Sequence, residues 1–401
     1  MHLVILYGKI ERLIDKRTIY CSTLKITYRM RNSFALINLK NLKFNYLNLR
    51  NKVKPAKFLA VVKADAYGHG AIEVSKFIAS LSPKPDYFGV ALFEEGIELR
   101  ESGITEPILV FDVITLKSLQ LAYNYDLTIT ISHKSDLDIL KKFLKLALPS
   151  KKINAHIKIN SGMNRLGIRW DEKLTELLKF YSIDKINFTG IYTHFATSDI
   201  PNCSFAKIQL DRFKKAVESL KLQKIDLGLI HTANSGAILN MPESYFDMVR
   251  AGISLYGYKP DLKSLDTVKL KPVMSLISKV ASVNCVKKGE SVSYGQKYFA
   301  KKKTNIASVS FGYADGYSRN LTNKAKAIIK NKFYRQVGIV TMDRIMFEIS
   351  NDKISQGDEV ILLGEKNNLK FDAWDWSKLL NTIPYEVTCN ISKRVPRLYK
   401  I

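Results

Sequence analysis

From residue 33 to about 260 the chain repeats one unit: a short β-branched run, a polar or glycine-bearing loop, then an amphipathic stretch. Eight runs read as strands: Phe58–Val62, Tyr87–Ala91, Ile108–Asp112, Leu127–Ile131, Ala155–Ile159, Phe188–Thr193, Ile225–Ile230 and Met248–Arg250. Between them, apolar residues recur at three- and four-residue spacing. Asp136–Leu148 is the clearest predicted helix, with Leu137, Ile139, Leu140, Phe143, Leu144 and Leu146 on one stripe. Eight such alternations predict an α/β chain with a (β/α)8 TIM-type barrel rather than an open sheet. The glycine fingerprint of a dinucleotide site is absent.

The rhythm changes after about residue 270. Val273–Val286, Thr304–Phe311, Lys326–Lys330, Gln336–Ile349 and Glu359–Leu363 are β-like, with turns at Lys288–Gly289 and Gln356–Gly357 and one evident helix near Trp374–Leu380. The expected division is therefore a barrel over 31–270 and a mostly β C-terminal domain over 271–401. Residues 1–30 read as an N-terminal extension outside the core. Their apolar stretch, Leu3–Tyr7, lacks a preceding basic region and a small-residue cleavage site, Glu11 and Asp15 interrupt an organelle-targeting pattern, and Met30 is a usable start.

Composition narrows the function class. An apolar fraction of 46% and a charged fraction of 25% exclude wholesale disorder. No apolar run approaches the roughly 18 residues that a membrane span needs. The 63 Lys and Arg against 37 Asp and Glu give +26, but the basic residues are spread along the chain and no recognition module appears. The expectation is a lysine-rich surface that favours anionic ligands, with no nucleic-acid partner. Cys21, Cys203, Cys285 and Cys389 lie far apart with no CxxC pair, which predicts a reducing, cytoplasmic setting and no metal site.

In a barrel the chemistry sits at the C-terminal ends of the strands. Lys63 ends the first run and is followed by Tyr67-Gly68-His69-Gly70, a loop whose glycines could let backbone approach an anion before a helix opens at Ala71. A lysine at the end of an apolar strand is poorly solvated, which favours the neutral, nucleophilic amine. Arg165 lies on the loop after Ala155–Ile159, with Lys158 just upstream; His194 ends Phe188–Thr193; Asn234-Ser235-Gly236 forms a second anion-sized loop; Arg250 ends the last strand ahead of Gly252 and Ile253. Singly, each has a plain explanation: a lysine that snorkels to solvent, an arginine in a surface ion pair, a histidine satisfied in the core. Their convergence on five strand ends points to an active site.

These residues resemble the alanine racemases, fold-type III pyridoxal-phosphate enzymes. The similarity runs through AVVKADAYGHG at 60–70, INSGMNRLGI at 159–168, YTHFATSD at 192–199, HTANSGA at 231–237 and MVRAGISLYG at 248–257. It continues through SVSYG at 291–295, GYADGY at 312–317, TMDRIM at 341–346 and IPYEV at 383–387, in family order. The resemblance implies pyridoxal 5'-phosphate carried by Lys63 as an aldimine. It implies phosphate contacts from Tyr67, Ser235, Gly252, Ile253 and Tyr385, Arg165 at the phenolic oxygen, and Arg250 at the pyridine nitrogen with His194 behind it. Tyr294 matches a second catalytic base, and Tyr313 and Met342 match residues of the entrance and the substrate carboxylate. In the family these three enter from the other subunit, so a homodimer with shared sites is implied. Lys158 matches a lysine that is carbamylated in some members.

Inverting an alanine centre means removing a weakly acidic Cα proton and returning it on the opposite face. A base on each face meets that need: by resemblance, Lys63 for the D-face proton and Tyr294 for the L-face proton. Decarboxylases of the same fold type pair the pyridine with an acid, and Arg250 argues against that reading. The family role implies D-alanine for peptidoglycan in a bacterial cytoplasm. Three features depart from the pattern: Asn160-Ser161 in place of Asp-Thr, Thr341 in place of a small Cys or Ser, and the extension before Met30.

Overall fold

Runs buried on both faces become parallel strands when helices cover them, and the first two thirds of the chain is built this way. The computed structural model describes residues 32–401. The expectations for residues 1–30, including Cys21 and the alternative start at Met30, lie outside the described residues. The strands in chain order are β1 (Phe34–Asn38), β2 (Lys57–Val61), β3 (Tyr87–Val90), β4 (Ile108–Val110), β5 (Ile129–Ile131), β6 (Ile153–Asn160), β7 (Ile168–Arg169), β8 (Ile186–Tyr192), β9 (Leu229–His231) and β10 (Met248–Ala251). Each of the eight runs expected from the sequence overlaps one of these strands.

Apart from β1, they form two parallel sheets, the four-stranded β10-β2-β3-β4 and the five-stranded β5-β6-β8-β9 with β7 paired to β6. Backbone hydrogen bonds cross both gaps between the sheets. Val110 N–H donates to Thr128 O and Thr128 N–H to Ile108 O on one side; Asp247 N–H donates to Ile230 O and Arg250 N–H to Ala233 O on the other. Strand interiors are apolar and buried, as in Phe58-Leu59-Ala60 and Ile108-Leu109-Val110. The helix expected over 136–148 spans Asp136–Ala147. Leu140 and Phe143 are buried, while Leu146 faces solvent because the helix ends one residue later, with Leu148 in the left-handed region.

β1 falls outside this alternation. Its burial alternates residue by residue, with Ala35 and Ile37 inward, which suits an antiparallel sheet with one covered face. It pairs antiparallel with β11 (Met274–Val286) and parallel with β18 (Arg397–Lys400). The remaining strands are β12 (Thr304–Val309), β13 (Lys326–Ile329), β14 (Lys332–Gln336), β15 (Ile345–Ser350), β16 (Glu359–Lys366) and β17 (Leu369–Phe371). The pairings run β11-β12-β15-β14-β13-β16 and return from β16 to β11, so six antiparallel strands close on themselves. The run expected over Gln336–Ile349 is interrupted at Gly338, whose positive φ turns the chain, and the loop that follows carries Met342. Two helices stand where one was expected: Ala373–Leu380, capped by the Asp372 carboxylate, and Pro384–Cys389, opened by a proline. One contiguous apolar core runs through both parts. Among the described residues no helix is long and apolar enough to cross a membrane.

Candidate active site

The C-terminal ends of the parallel strands surround a cavity of about 190 Å³. Lys63, Tyr67, Lys158, Arg165, His194, Ser235, Arg250, Gly252, Ile253 and Tyr385 all line it. Tyr294, Tyr313 and Met342 do not. They sit on the second part of the chain and are 73%, 43% and 53% exposed.

The lysine is aimed by an unusual turn. Ala64, Asp65, Ala66 and Tyr67 all have φ of 52–54° with ψ of 39–53°, a left-handed helical turn made from residues with side chains. Such a turn costs about 1–2 kcal/mol per residue and persists only where its surroundings over-determine it. Ala66 N–H donates to Val62 O at 2.8 Å, and Gly70 N–H to Asp65 O at 2.9 Å. The His69 ring donates from Nδ1 to Tyr67 O and Ala66 O at 2.9 and 3.0 Å, and Asp65 Oδ1 accepts from Ala71 N–H at 2.8 Å. The His69, Gly70 and Ala71 amides, expected to face an anion, are therefore used internally. Gly68, at φ +82°, instead lets the turn press against the Thr388 carbonyl of helix Pro384–Cys389. Burial, and then the positive Arg165, lower the Lys63 pKa, which favours the free amine.

Arg250 is buried on β10. It donates to His231 Nδ1 at 2.9 Å, to Thr193 O at 2.7 Å, to Thr232 O at 2.9 Å and to His194 Nδ1 at 3.3 Å. A guanidinium can only donate, so both Nδ1 atoms accept and both histidines carry their proton on Nε2. His231 Nε2–H then donates to His156 Nδ1 at 2.9 Å. Burial, followed by Arg250, holds His194 and His231 well below the usual histidine range, and both are neutral. Burial brings Arg250 down to about 10, so it remains charged at neutral pH.

His231 was missed in the sequence, although it follows the Ile225–Ile230 run just as His194 follows Phe188–Thr193. Tyr192 was missed too. Its ring lies 5.2 Å from the Arg250 guanidinium and 5.6 Å from Lys158 Nζ, and so offers a π face to two cations. Val61, Phe111 and Asn234 complete the wall.

Two arginines and two lysines line the cavity and no carboxylate does, so the site suits an anion. Burial, with added repulsion from Arg165, Arg250 and Lys63, brings Lys158 down to about 8. Ser235, on the same cavity, opens the helix Ser235–Asn240, capped by the Asn234 side chain. The Ser235 hydroxyl accepts from Gly252 N–H at 2.9 Å. A Cβ on Gly252 would lie 2.6 Å from the Tyr67 hydroxyl and 3.6 Å from that of Ser235. The hollow between these hydroxyls thus exists because residue 252 has no side chain.

The family descriptions "Alanine racemase, N-terminal domain" and "Alanine racemase, C-terminal domain" match residues 37–260 and 273–399. The chain belongs to the alanine racemase family. It is 37% identical over 372 residues to the alanine racemase of Carboxydothermus hydrogenoformans, covering 92% of this chain and all of that one. It is 39% identical over 375 residues to that of Clostridium perfringens, covering 92% and 96%. Among solved structures, alanine racemase from Clostridium difficile 630 superposes with a TM-score of 0.87 at 38% identity, covering 94% and 97%. The same enzyme in complex with cycloserine superposes with a TM-score of 0.85 at 37% identity. The chain is thus of the isomerase class. Asn160 Oδ1 accepts from Gly162 N–H and Asn164 N–H at 3.0 Å each, and the Ser161 hydroxyl pairs with Thr193 at 2.8 Å. Thr341 Oγ1 bridges the carbonyl and N–H of Arg344.

Proposed function

We propose that this chain interconverts L-alanine and D-alanine with pyridoxal 5'-phosphate as cofactor. The reading is carried by membership of the alanine racemase family over residues 37–260 and 273–399, joined to one cavity that gathers Lys63, Arg165, Ser235 and Arg250. The residues present fit the cofactor. Two hydroxyls flank the hollow over Gly252, an amine with lowered pKa lines the same cavity, and no acid competes for the anion. Tyr67, Ser235, Gly252, Ile253 and Tyr385 would hold the phosphate, Arg165 the phenolic oxygen and Arg250 the ring nitrogen. Once bound through its aldehyde, the cofactor supplies an electron sink for the substrate's Cα.

The chain's own groups do the rest. Lys63, as the free amine, takes or returns the proton on the D face. Tyr294 of the partner subunit does the same on the L face, and Tyr313 and Met342 shape the entrance from that same subunit. The exposure of all three on a single chain supports a homodimer with shared sites. Arg250 keeps its charge and disfavours a second positive charge beside it, so the ring nitrogen stays unprotonated. His194 fixes the arginine's orientation from behind. Lys158, as its carbamate, would give Arg165 an anionic partner.

Hydrogen bonds across both gaps between the parallel sheets support closure of the eight strands into a (β/α)8 TIM-type barrel. We assign the barrel within residues 31–270 to cofactor binding and residues 271–401, whose sheet also takes in β1, to the domain that completes the partner's site. The product points to peptidoglycan supply in a bacterial cytoplasm.

The test is incubation of the protein and pyridoxal phosphate with L-alanine in deuterated water, then chiral separation and mass analysis. D-Alanine carrying α-deuterium is expected. Its absence, with the cofactor bound at Lys63, would overturn the alanine assignment.

A further inference from the structure

Glu95 lies outside the cavity, at the third position of the helix Phe93–Glu101. Its two carboxylate oxygens do different things. Oε2 accepts from Ala91 N–H at 2.7 Å and Leu92 N–H at 3.1 Å, closing the loop after β3. Oε1 reaches across to the parallel neighbour and accepts from Ala64 N–H at 2.6 Å. That amide follows Lys63 directly and opens the left-handed turn. The first N–H groups of any helical turn have no partner within it, and Glu95 supplies one from a different strand-end loop. The far end of the turn is held separately, where Arg397 Nε donates to Gly68 O at 3.1 Å.

We infer that Glu95 is a positioning residue for Lys63: its carboxylate fixes the Lys63–Ala64 peptide and so the direction in which the amine enters the cavity. The inference rests on the reading of Lys63 as the cofactor lysine. The negative charge also favours the ammonium form of Lys63, against burial and Arg165. Glu95→Ala removes every acceptor together with the charge, whereas Glu95→Gln keeps one carbonyl oxygen and sets an NH2 donor where the other oxygen accepted.

The experiment uses the full chain and two probes. Pyridoxal phosphate condenses with Lys63 Nζ, releasing water, and borohydride reduces the C=N bond to a stable C–N bond that is read by peptide mass. Pyridoxamine phosphate has no aldehyde and senses only the cavity. Glu95→Ala should bind pyridoxamine phosphate as the unsubstituted chain does but link at Lys63 about tenfold more slowly or worse, because a small error in aim is costly. Glu95→Gln should link at an intermediate rate, because its one oxygen can serve Ala64 or the Ala91–Leu92 loop but not both, with its pH midpoint moved downward because a charge that favoured the ammonium is gone. Linkage by Glu95→Ala at the unsubstituted rate would overturn the inference. So would a proportionate loss of pyridoxamine phosphate affinity, or a Glu95→Gln variant that links at the unsubstituted rate should Glu95→Ala not fold. No linkage at Lys63 in the unsubstituted chain would overturn the cofactor reading first, and this inference with it.

Discussion

A lysine amine becomes a nucleophile only when its surroundings make the ammonium form costly, and the cavity does this twice. Lys158 is the clearer case, brought down to about 8 by burial and then by three neighbouring cations. A neutral amine can attack carbon dioxide, form an N–C bond and lose a proton, giving an anionic carbamate that offsets those cations. In carbon-13 bicarbonate, one carbamate resonance should grow between about pH 7 and 9, a range in which an ordinary lysine stays protonated. Lys158→Ala should abolish it, and a surviving resonance would place the carbamate elsewhere. Tyr294 tests the other half of the proposed chemistry. Tyr294→Phe should lower L-alanine turnover by about 10²–10⁴-fold, the usual contribution of a positioned base, without changing linkage at Lys63. Unchanged turnover would remove Tyr294 from the mechanism. The strand-end residues Lys63, Arg250 and His194 were legible because a charged or titratable side chain ending an apolar run is conspicuous. Tyr192 and Glu95 were not, since an aromatic in a strand and a glutamate in a helix look like any others.

At the scale of elements, the left-handed turn and the helix Pro384–Cys389 form one joint. Gly68 carries the positive φ and the close carbonyl, while Gly103 carries a positive φ beside open space. Gly103→Ala should therefore show the backbone cost alone, about 1 kcal/mol, and Gly68→Ala clearly more in denaturant midpoint. Equal losses would mean the joint yields freely. The parallel strands were readable because each is a short apolar run bounded by loop residues. β1 and the helix Pro384–Cys389 escaped notice because five or six residues carry too little periodicity, and their pairing partners lie hundreds of residues away.

Two expectations belong to the whole molecule. His69, His156, His194 and His231 are fully buried or lie in the buried Arg250 cluster, and burial lowers each, His69 to about 4 and His156 to about 3. Above pH 6.5 the folded and unfolded chains are both neutral at these rings. Below it the unfolded chain binds protons that the folded chain refuses, so stability falls as pH falls, by up to about 2 kcal/mol per ring at pH 5. Denaturant midpoints across pH 5 to 8 measure this; a flat profile would mean the rings titrate normally. The second expectation concerns assembly. Lys63→Ala and Tyr294→Phe chains should each be inactive, yet unfolding and refolding them together should restore about a quarter of normal activity if sites are shared between two copies. No recovery in verified mixed dimers would place each site within one chain.

The sequence by itself determined the alternating first part, the β-rich second part and the cavity residues that stand at strand ends, because period and position are local properties of a chain. Tertiary structure decided what those residues can do. It spent the His69 and Gly70 amides on the left-handed turn rather than on an anion, and it joined His231 and His156 to Arg250. It also brought Glu95 to the amide beside Lys63. Each of these outcomes depends on which groups meet across the fold and how much water is left between them. Neither is written in the spacing of residues along the chain.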